Sequence, residues 1–413
     1  MKIESLPKDI FELVNSNEKV LLYLNNLKHG RPFTPRSWLY EGKSDTEVLS
    51  LWLKELEKVK TFQYGDEVYQ FDTSELKKWG AQGGVQPLDE LMDILTEGFS
   101  LGDSPRPKIF ASRKWEQAKA NAVQHLIVDT GLFHALRPRD AMHVVDDMRD
   151  RDTLESNSGM PSFGRRKDPD ILKQAIQDAV SGNWKNFPAI PLFRNYSAKT
   201  RLVWMYPMSS NIVEGMFTQP LKQALMNSKL STEFLSPWKG YEYVLAKITR
   251  LYQNDRQYLS ASDFSHTDSH FGKWVMYEVY DVIKHAFQPK YWNELKESML
   301  HVCEIPLLLS NDKWIVGNHG VASGSNWTND CETYLDFIAE EYFTLLGLVS
   351  APAVAIGDDV LHTRSTYDKT FAKEIALIYR QMGFDVNEEK VTNDIHSVKY
   401  LKRWTHYSYF SGR

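Results

Sequence analysis

A chain of 413 residues exceeds what one simple core sustains, so it is expected to divide into subdomains that share an interior. Its hydrophobic content of 42% supplies that interior. A net charge of −5 and a pI near 6.2 exclude a uniformly basic nucleic-acid coat, but not an enzyme whose channel alone is basic.

The first hundred residues read mainly as helices, Ile10 to Leu27 and Thr46 to Lys60, separated by a proline-containing turn near Arg31 to Arg36. Another helix is predicted from Arg113 to Ile127. The run from Arg137 to Arg151 mixes both signs of charge and reads as a solvated helix face. Glycine and proline make Asn157 to Asp168 a loop, and its cations Arg165, Arg166 and Lys167 suit a surface turn or a phosphate backbone equally. Lys199 to Tyr206 reads as a strand, with Lys199, Arg201, Val203 and Met205 on one face. Together with Arg194, those cations suit a triphosphate, or merely a polar strand end.

Tyr258 to Phe264 is predicted to be a strand with Asp263 near its end, where a carboxylate is held rigidly and open to a cleft. Asp268 follows in a turn that also suits capping of a helix starting near Ser269. Ser323 to Asn329 (Ser-Gly-Ser-Asn-Trp-Thr-Asn) reads as a flexible loop before a helix from Cys331 to Leu346. Its side chains suit a ribose or template backbone, or N-capping by Asn326, Thr328 or Asn329. Val354 to Ile356 and Val360 to His362 read as short strands joined through Gly357, Asp358 and Asp359. If these neighbour the Asp263 strand, three carboxylates meet at one sheet end. Their repulsion raises at least one pKa unless cations neutralise it, and all-oxygen ligands favour Mg²⁺ or Mn²⁺ over zinc. Lys369 to Met382 reads as an amphipathic helix capped at Gly383, and Ser397 to Trp404 as a strand pair; Lys390 between them is solvated or approaches the same cleft. Cys303 and Cys331 lack the number for a disulfide framework and the spacing of a zinc site. The N-terminus has no signal-peptide core and no stretch approaches about 18 apolar residues, so a soluble intracellular chain is expected, with no membrane partner.

The order of these segments resembles the motif series of viral RNA-dependent RNA polymerases: a basic strand, Asp263-x4-Asp268, Ser323-Gly324-x3-Thr328, Gly357-Asp358-Asp359, then a helix and a lysine. Ser-Gly-Ser-x-x-Thr-Asn with Lys-Thr-Arg ahead of it is similar to polymerases of the partitivirus and picobirnavirus group of double-stranded RNA viruses. The likeness spans residues 156–405. It implies an α+β right-hand polymerase with fingers, palm and a reduced or missing thumb, the palm being a small antiparallel sheet flanked by helices. Residues 1–110 would be a helical region joining the fingers, 111–255 the fingers with the basic strand, 256–269 and 316–405 the palm, 270–315 a fingers insertion, and 406–413 a tail or the start of a thumb. With nine residues after Trp404, a full thumb is expected to be missing.

The resemblance also assigns roles. Asp263, Asp358 and Asp359, with the backbone carbonyl of Phe264, would hold two Mg²⁺ or Mn²⁺ ions, and Lys390 would be the general acid for pyrophosphate. Arg194, Lys199 and Arg201 would hold the triphosphate. Asp268 would read the ribose 2′-hydroxyl, and Ser323, Gly324, Thr328 and Asn329 would position nucleotide and template. Ser158, Gly159, Pro161, Arg165 and Arg166 would guide template RNA. The partners implied are template and nascent RNA, ribonucleoside triphosphates and, as a further option, a viral capsid protein, in the host cytoplasm or the virus particle. One position departs from the pattern: the asparagine usually found four residues after the loop threonine, partner of the second aspartate, is Glu332 here. Two competing readings are an RNA-templated DNA polymerase and a catalytically silent RNA-binding or capsid-associated chain.

Overall fold

The computed structural model describes residues 1–31, 42–76, 84–196, 199–253, 256–262, 264–386, 388 and 391–410. Its strands in chain order are β1 (Lys2–Ser5), β2 (Ile190–Tyr196), β3 (Lys199–Met205), β4 (Tyr258–Ser262), β5 (Leu307–Leu308), β6 (Lys313–Val316), β7 (Ala351–Ile356), β8 (Asp359–Arg364), β9 (Thr392–Asn393), β10 (Ser397–Tyr400) and β11 (Arg403–His406). They form small antiparallel sheets: β1-β6-β5, the ribbons β2-β3 and β10-β11, and a four-stranded sheet ordered β7-β8-β4-β9. Helices fill the space between them.

The helix Trp327–Leu345 is the axis of the molecule: residues 327–343 are buried on every face except at Asn329. A helix enclosed all round needs apolar side chains on all sides, and Trp327, Tyr334, Phe337, Ile338 and Phe343 provide them. Each large side chain removed from water contributes about 1.5–3 kcal/mol. Trp327 also satisfies its indole nitrogen, which donates to Ser298 Oγ at 3.0 Å. The same helix buries Asp330, Glu332, Asp336, Glu340 and Glu341, which an apolar interior tolerates only with partners or protons.

Several predicted elements shift. The single helix expected from Ile10 to Leu27 is two, Lys8–Asn15 and Glu18–His29, because the Asn17 side chain accepts from Lys19 N and Val20 N and starts a new helix. The long central helix begins at Trp327 rather than Cys331, so Thr328 and Asn329 belong to its first turn. Asn326 occupies the N-cap position without a side-chain cap, and Ser325 Oγ accepts from Trp327 N instead. Asp268 does not cap a helix from outside; it lies in the short helix Thr267–His270, which precedes Lys273–Ile283. Asp359 is the first residue of β8, opposite Ile356, so the hairpin turn consists of Gly357 and Asp358. The predicted solvated helix is found at Ala141–Asp150, and the amphipathic one at Phe371–Gln381 with Gly383 at φ +100°.

Candidate active site

The four-stranded sheet brings two distant segments side by side. β4 and β8 run antiparallel with Ser262 opposite Val360, so the end of β4 adjoins the β7-β8 turn. At that turn Gly357 has φ +57°, and a Cβ there would lie 2.7 Å from Asn329 Nδ2; glycine meets both demands. The turn is tied down from three sides. Gly357 N donates to Thr333 Oγ1 at 2.8 Å, Thr267 Oγ1 donates to Asp358 Oδ2 at 2.7 Å, and Tyr400 OH donates to the Asp359 carbonyl at 3.2 Å. Beneath the sheet end, Ser262 Oγ and His362 Nε2 are 2.6 Å apart, and His362 Nδ1 and Glu340 Oε1 are 2.5 Å apart. His362 and Glu340 are fully buried, which makes this serine–histidine–glutamate chain a brace between β4, β8 and the central helix, closed to any substrate.

Asp268 is the meeting point of four elements. It lies within hydrogen-bonding reach of Glu332 on the central helix and feels the charges of Asp358 on the hairpin and Arg201 on β3. Burial pushes its pKa up to about 6, against the hydrogen bond with Glu332; the Asp358 charge raises it further and Arg201 lowers it. Burial, then the charges of Asp268 and Asp358, also push Glu332 well above the usual carboxylate range. Two carboxyls can hydrogen-bond only if one carries a proton, so Glu332 is the neutral member. One turn further along, Asp336 is held up by burial and by the charges of Asp358 and Glu340. Tyr379 OH donates to its Oδ1 at 3.4 Å, and its Oδ2 has no partner among the described residues.

Facing this acid cluster is a cationic ribbon. In the β2-β3 register Arg194 lies opposite Arg201, and Lys199 is two residues from Arg201, so the three share a face; all are exposed. The Ser-Gly loop meets the end of the ribbon. Trp204 N donates to Ser323 Oγ at 3.2 Å, and a Cβ on Gly324 would fall 2.0 Å from the Trp204 carbonyl. Ser323 and Asn329 are exposed, whereas Thr328 is buried and donates to the Ala322 carbonyl at 2.8 Å.

The structure therefore gathers Asp268, Asp358, Asp359, Asn329 and Arg201 around the sheet end. Asp263 and Lys390 lie outside the described residues. Phe264 is buried, its ring edge-on to Tyr379 at 4.5 Å. Among the described residues no three acidic, histidine or cysteine side chains stand in metal-binding geometry. The donor chemistry nevertheless fits hard cations: the groups around Asp358 are carboxyls, their pKa values raised first by burial and then by neighbouring acidic charge.

The 157–166 loop is turned inward more than its composition implies. Ser158 is buried, with Gly164 N donating to its Oγ at 3.2 Å. Gly159 has φ +64° and packs against Tyr206, and the Pro161 carbonyl accepts from Asn17 Nδ2. Arg165 pairs with Glu155 at 2.9 Å and is exposed. Arg166 is partly buried, and its Nη2 donates to Asn211 Oδ1 at 2.8 Å; burial draws its pKa down to about 10. Sequence reasoning missed Thr267, Thr333, Asn211 and Glu214. The acids Glu332, Asp336 and Glu340 were detectable, because their four-residue spacing puts them on one helix face.

A small antiparallel sheet with an acidic edge, faced by a basic ribbon and enclosed by helices, defines a right-hand nucleic-acid polymerase. The chain belongs to the viral RNA-dependent RNA polymerases: the family model described as viral RNA-dependent RNA polymerase matches residues 196–407, about half its length. It is accordingly a nucleotidyltransferase that works with RNA and ribonucleoside triphosphates. A protein of human picobirnavirus, named a potential RNA-dependent RNA polymerase, is 24% identical over 95% of this chain and 73% of its own length. An RNA-directed RNA polymerase of Cryptosporidium parvum virus 1 is 26% identical over 36% of this chain and 28% of its own. The crystal structure of a human picobirnavirus RNA-dependent RNA polymerase superposes with a TM-score of 0.79 at 22% identity, covering 98% of this chain and 78% of that one. Its insertion-loop deletion mutant superposes equally well. The resemblance drawn from the motifs is thus borne out for family and fold. No helix among the described residues is long and apolar enough to cross a membrane.

Proposed function

We propose that the chain copies a viral RNA genome, in replication and transcription, by transferring ribonucleoside monophosphates to an RNA 3′-hydroxyl with two divalent cations. The observation that carries this reading is the convergence of Asp268, Glu332 and Asp358 from three separate elements, where burial and the neighbouring acidic charges raise the pKa values of Asp268 and Glu332. Asp263, Asp358, Asp359 and the Phe264 carbonyl would hold two Mg²⁺ or Mn²⁺ ions. When bound, such ions lower the pKa of the attacking hydroxyl and neutralise charge on the leaving pyrophosphate. Arg194, Lys199 and Arg201 bind the triphosphate from one face of the ribbon, which leaves its α-phosphorus toward the hairpin turn. Lys390 donates the proton that the pyrophosphate acquires.

Asp268 accepts a hydrogen bond from the ribose 2′-hydroxyl, and Glu332, carrying the proton, donates to Asp268 in place of the usual asparagine amide. Ser323, Gly324, Thr328 and Asn329 shape the surface under template and nucleotide, and the 158–166 loop borders the template path. The 256–269 and 316–405 segments act as palm and 111–255 as fingers, with 1–110 and 270–315 bracing them. The host cytoplasm or the virus particle, with a capsid protein as partner, is the setting this reading implies.

The test is RNA synthesis by the purified chain on a defined single-stranded RNA with ribonucleoside triphosphates and either metal, beside Asp358→Asn. Replacing one carboxylate by an amide removes charge without volume and should lower incorporation by about 10³-fold or more. Synthesis at the unaltered rate by Asp358→Asn would sink the site assignment, and incorporation of deoxyribonucleotides in preference would favour the DNA-polymerase alternative.

A further inference from the structure

Glu214, in the helix Met208–Met226, is 1% exposed and is remote from the acid cluster's hydrogen bonds, yet three donors converge on it. Ser325 Oγ donates to Oε1 at 2.6 Å; the Asn326 main-chain nitrogen and Asn211 Nδ2 donate to Oε2 at 2.7 and 3.2 Å. Asn211, one helical turn earlier, extends the contacts both ways. Its Nδ2 donates to the Gly324 carbonyl at 3.0 Å and its own carbonyl accepts from Asn326 Nδ2 at 2.8 Å. Its Oδ1 accepts from Arg166, whose Nε donates to the Asn157 carbonyl at 3.1 Å.

A second set of contacts joins the same two loops to one short segment of chain. A Cβ on Gly324 would lie 2.0 Å from the Trp204 carbonyl, and one on Gly159 would lie 2.7 Å from the Tyr206 carbonyl. Met208 N donates to the Ser158 carbonyl at 2.8 Å. Both loops are therefore pressed against residues 204–208, which continue directly from the basic strand β3. A buried carboxylate and a neighbouring guanidinium add little net stability, because desolvation offsets their attraction. What such a pair does supply is one defined arrangement of the groups it touches.

We propose that Glu214 is a positioning residue for RNA synthesis: through Asn211 and Arg166 it locks the 157–166 loop and the 323–326 loop into one rigid cradle for the template strand. This rests on reading both loops as RNA-facing. Arg166 then acts as an internal strut, while Arg165 and Ser323 are left at the surface. The burial of Glu214 pushes its pKa up to about 7 against the hydrogen bonds from Ser325, Asn326 and Asn211, so its acceptor capacity is complete only on the alkaline side of neutrality.

The experiment measures the template KM and kcat of the full chain near pH 8 for Glu214→Gln, Arg166→Gln, the double variant and Ser325→Ala, with thermal unfolding as the check on folding. Glutamine matches glutamate in size but carries no charge: with its oxygen on the Asn326 and Asn211 donors its NH2 must face Ser325 Oγ, which reverses that bond and removes the charge that strengthens all three. Losing hydrogen bonds to a charged group should raise the template KM about 10-fold, with kcat changed by less than about 3-fold. The double variant should be no worse than the worse single one, because both changes break the same chain of contacts. Ser325→Ala, which removes one donor to Glu214 together with the acceptor for Trp327 N, should raise the same KM about 3-fold and decides the matter alone if Glu214→Gln does not fold. Additive effects of Glu214→Gln and Arg166→Gln, an unchanged template KM, or a fall in kcat alone would each overturn the proposal. Wild-type synthesis, measured in parallel, tests the polymerase reading itself, so the two failures are distinguishable.

Discussion

The helix Ala141–Asp150 and the helix Trp327–Leu345 both carry several acids, and they put them to opposite uses. On the first, Asp146 pairs with Arg149 at 2.6 Å and Asp147 with Arg151, at side chains that are mostly more than half exposed. Water screens such pairs, and each contributes about 0–1 kcal/mol. On the second, Glu332, Asp336 and Glu340 are buried along one face, where Glu340 meets His362 and Arg201 acts on the neighbouring Asp268. There an acid must hold a proton, accept several hydrogen bonds or await a cation. The same residue type is inert in one place and chemically committed in the other, and solvent access makes the difference.

The strongest way to break this contrast is to follow stability with pH at a buried acid. Glu214 has its pKa raised from 4.5 to about 7, so the folded protein holds its proton where the unfolded chain has released it. Its contribution is complete below about pH 4.5 and is lost as pH rises through 7, by an amount on the order of 3 kcal/mol. Denaturant unfolding at pH 5 and pH 8 should show wild type losing more stability across that interval than Glu214→Gln; parallel behaviour of the two would mean that the carboxyl is not desolvated. A smaller effect is expected at Glu332. Glu332→Gln keeps a neutral donor to Asp268 and should preserve discrimination between ribo- and deoxyribonucleotides, whereas Glu332→Ala should lower it about 10-fold. Equal discrimination by all three forms would detach Glu332 from sugar selection. The smallest effect belongs to the surface helix: Asp147→Ala should change unfolding free energy by less than about 0.5 kcal/mol.

How much of this was visible in the linear chain differs by element. The hairpin at Gly357-Asp358, the strand before it and the basic strand are local patterns, and all three form close to where periodicity and turn chemistry put them. The start of the central helix was misjudged because Ser-Gly-Ser-Asn reads as a loop well past Trp327. In the fold that indole is fully buried and hydrogen-bonded to Ser298, and it draws the first turn inward. The break at Asn17 was missed for the opposite reason: a continuous apolar period hid a side-chain cap. Arg166 read as a cation for RNA, since nothing in Gly-Arg-Arg-Lys says which guanidinium turns toward Asn211.

By itself the sequence determined the chemical inventory and its order: a basic strand, paired aspartates, a hydroxyl-rich loop and a second pair of aspartates, which suffice to indicate the polymerase family. Only the tertiary structure decided which of these side chains keep their charge. Asp268 and Glu332 are far apart in the chain, and neither has an unusual neighbour in sequence. Packing the short helix Thr267–His270 against the central helix buries Glu332, half-buries Asp268 and leaves one proton between them. Glu214 likewise looks like an ordinary helix glutamate until two loops close over it. Desolvation depends on the whole surrounding volume, and no window of sequence contains that.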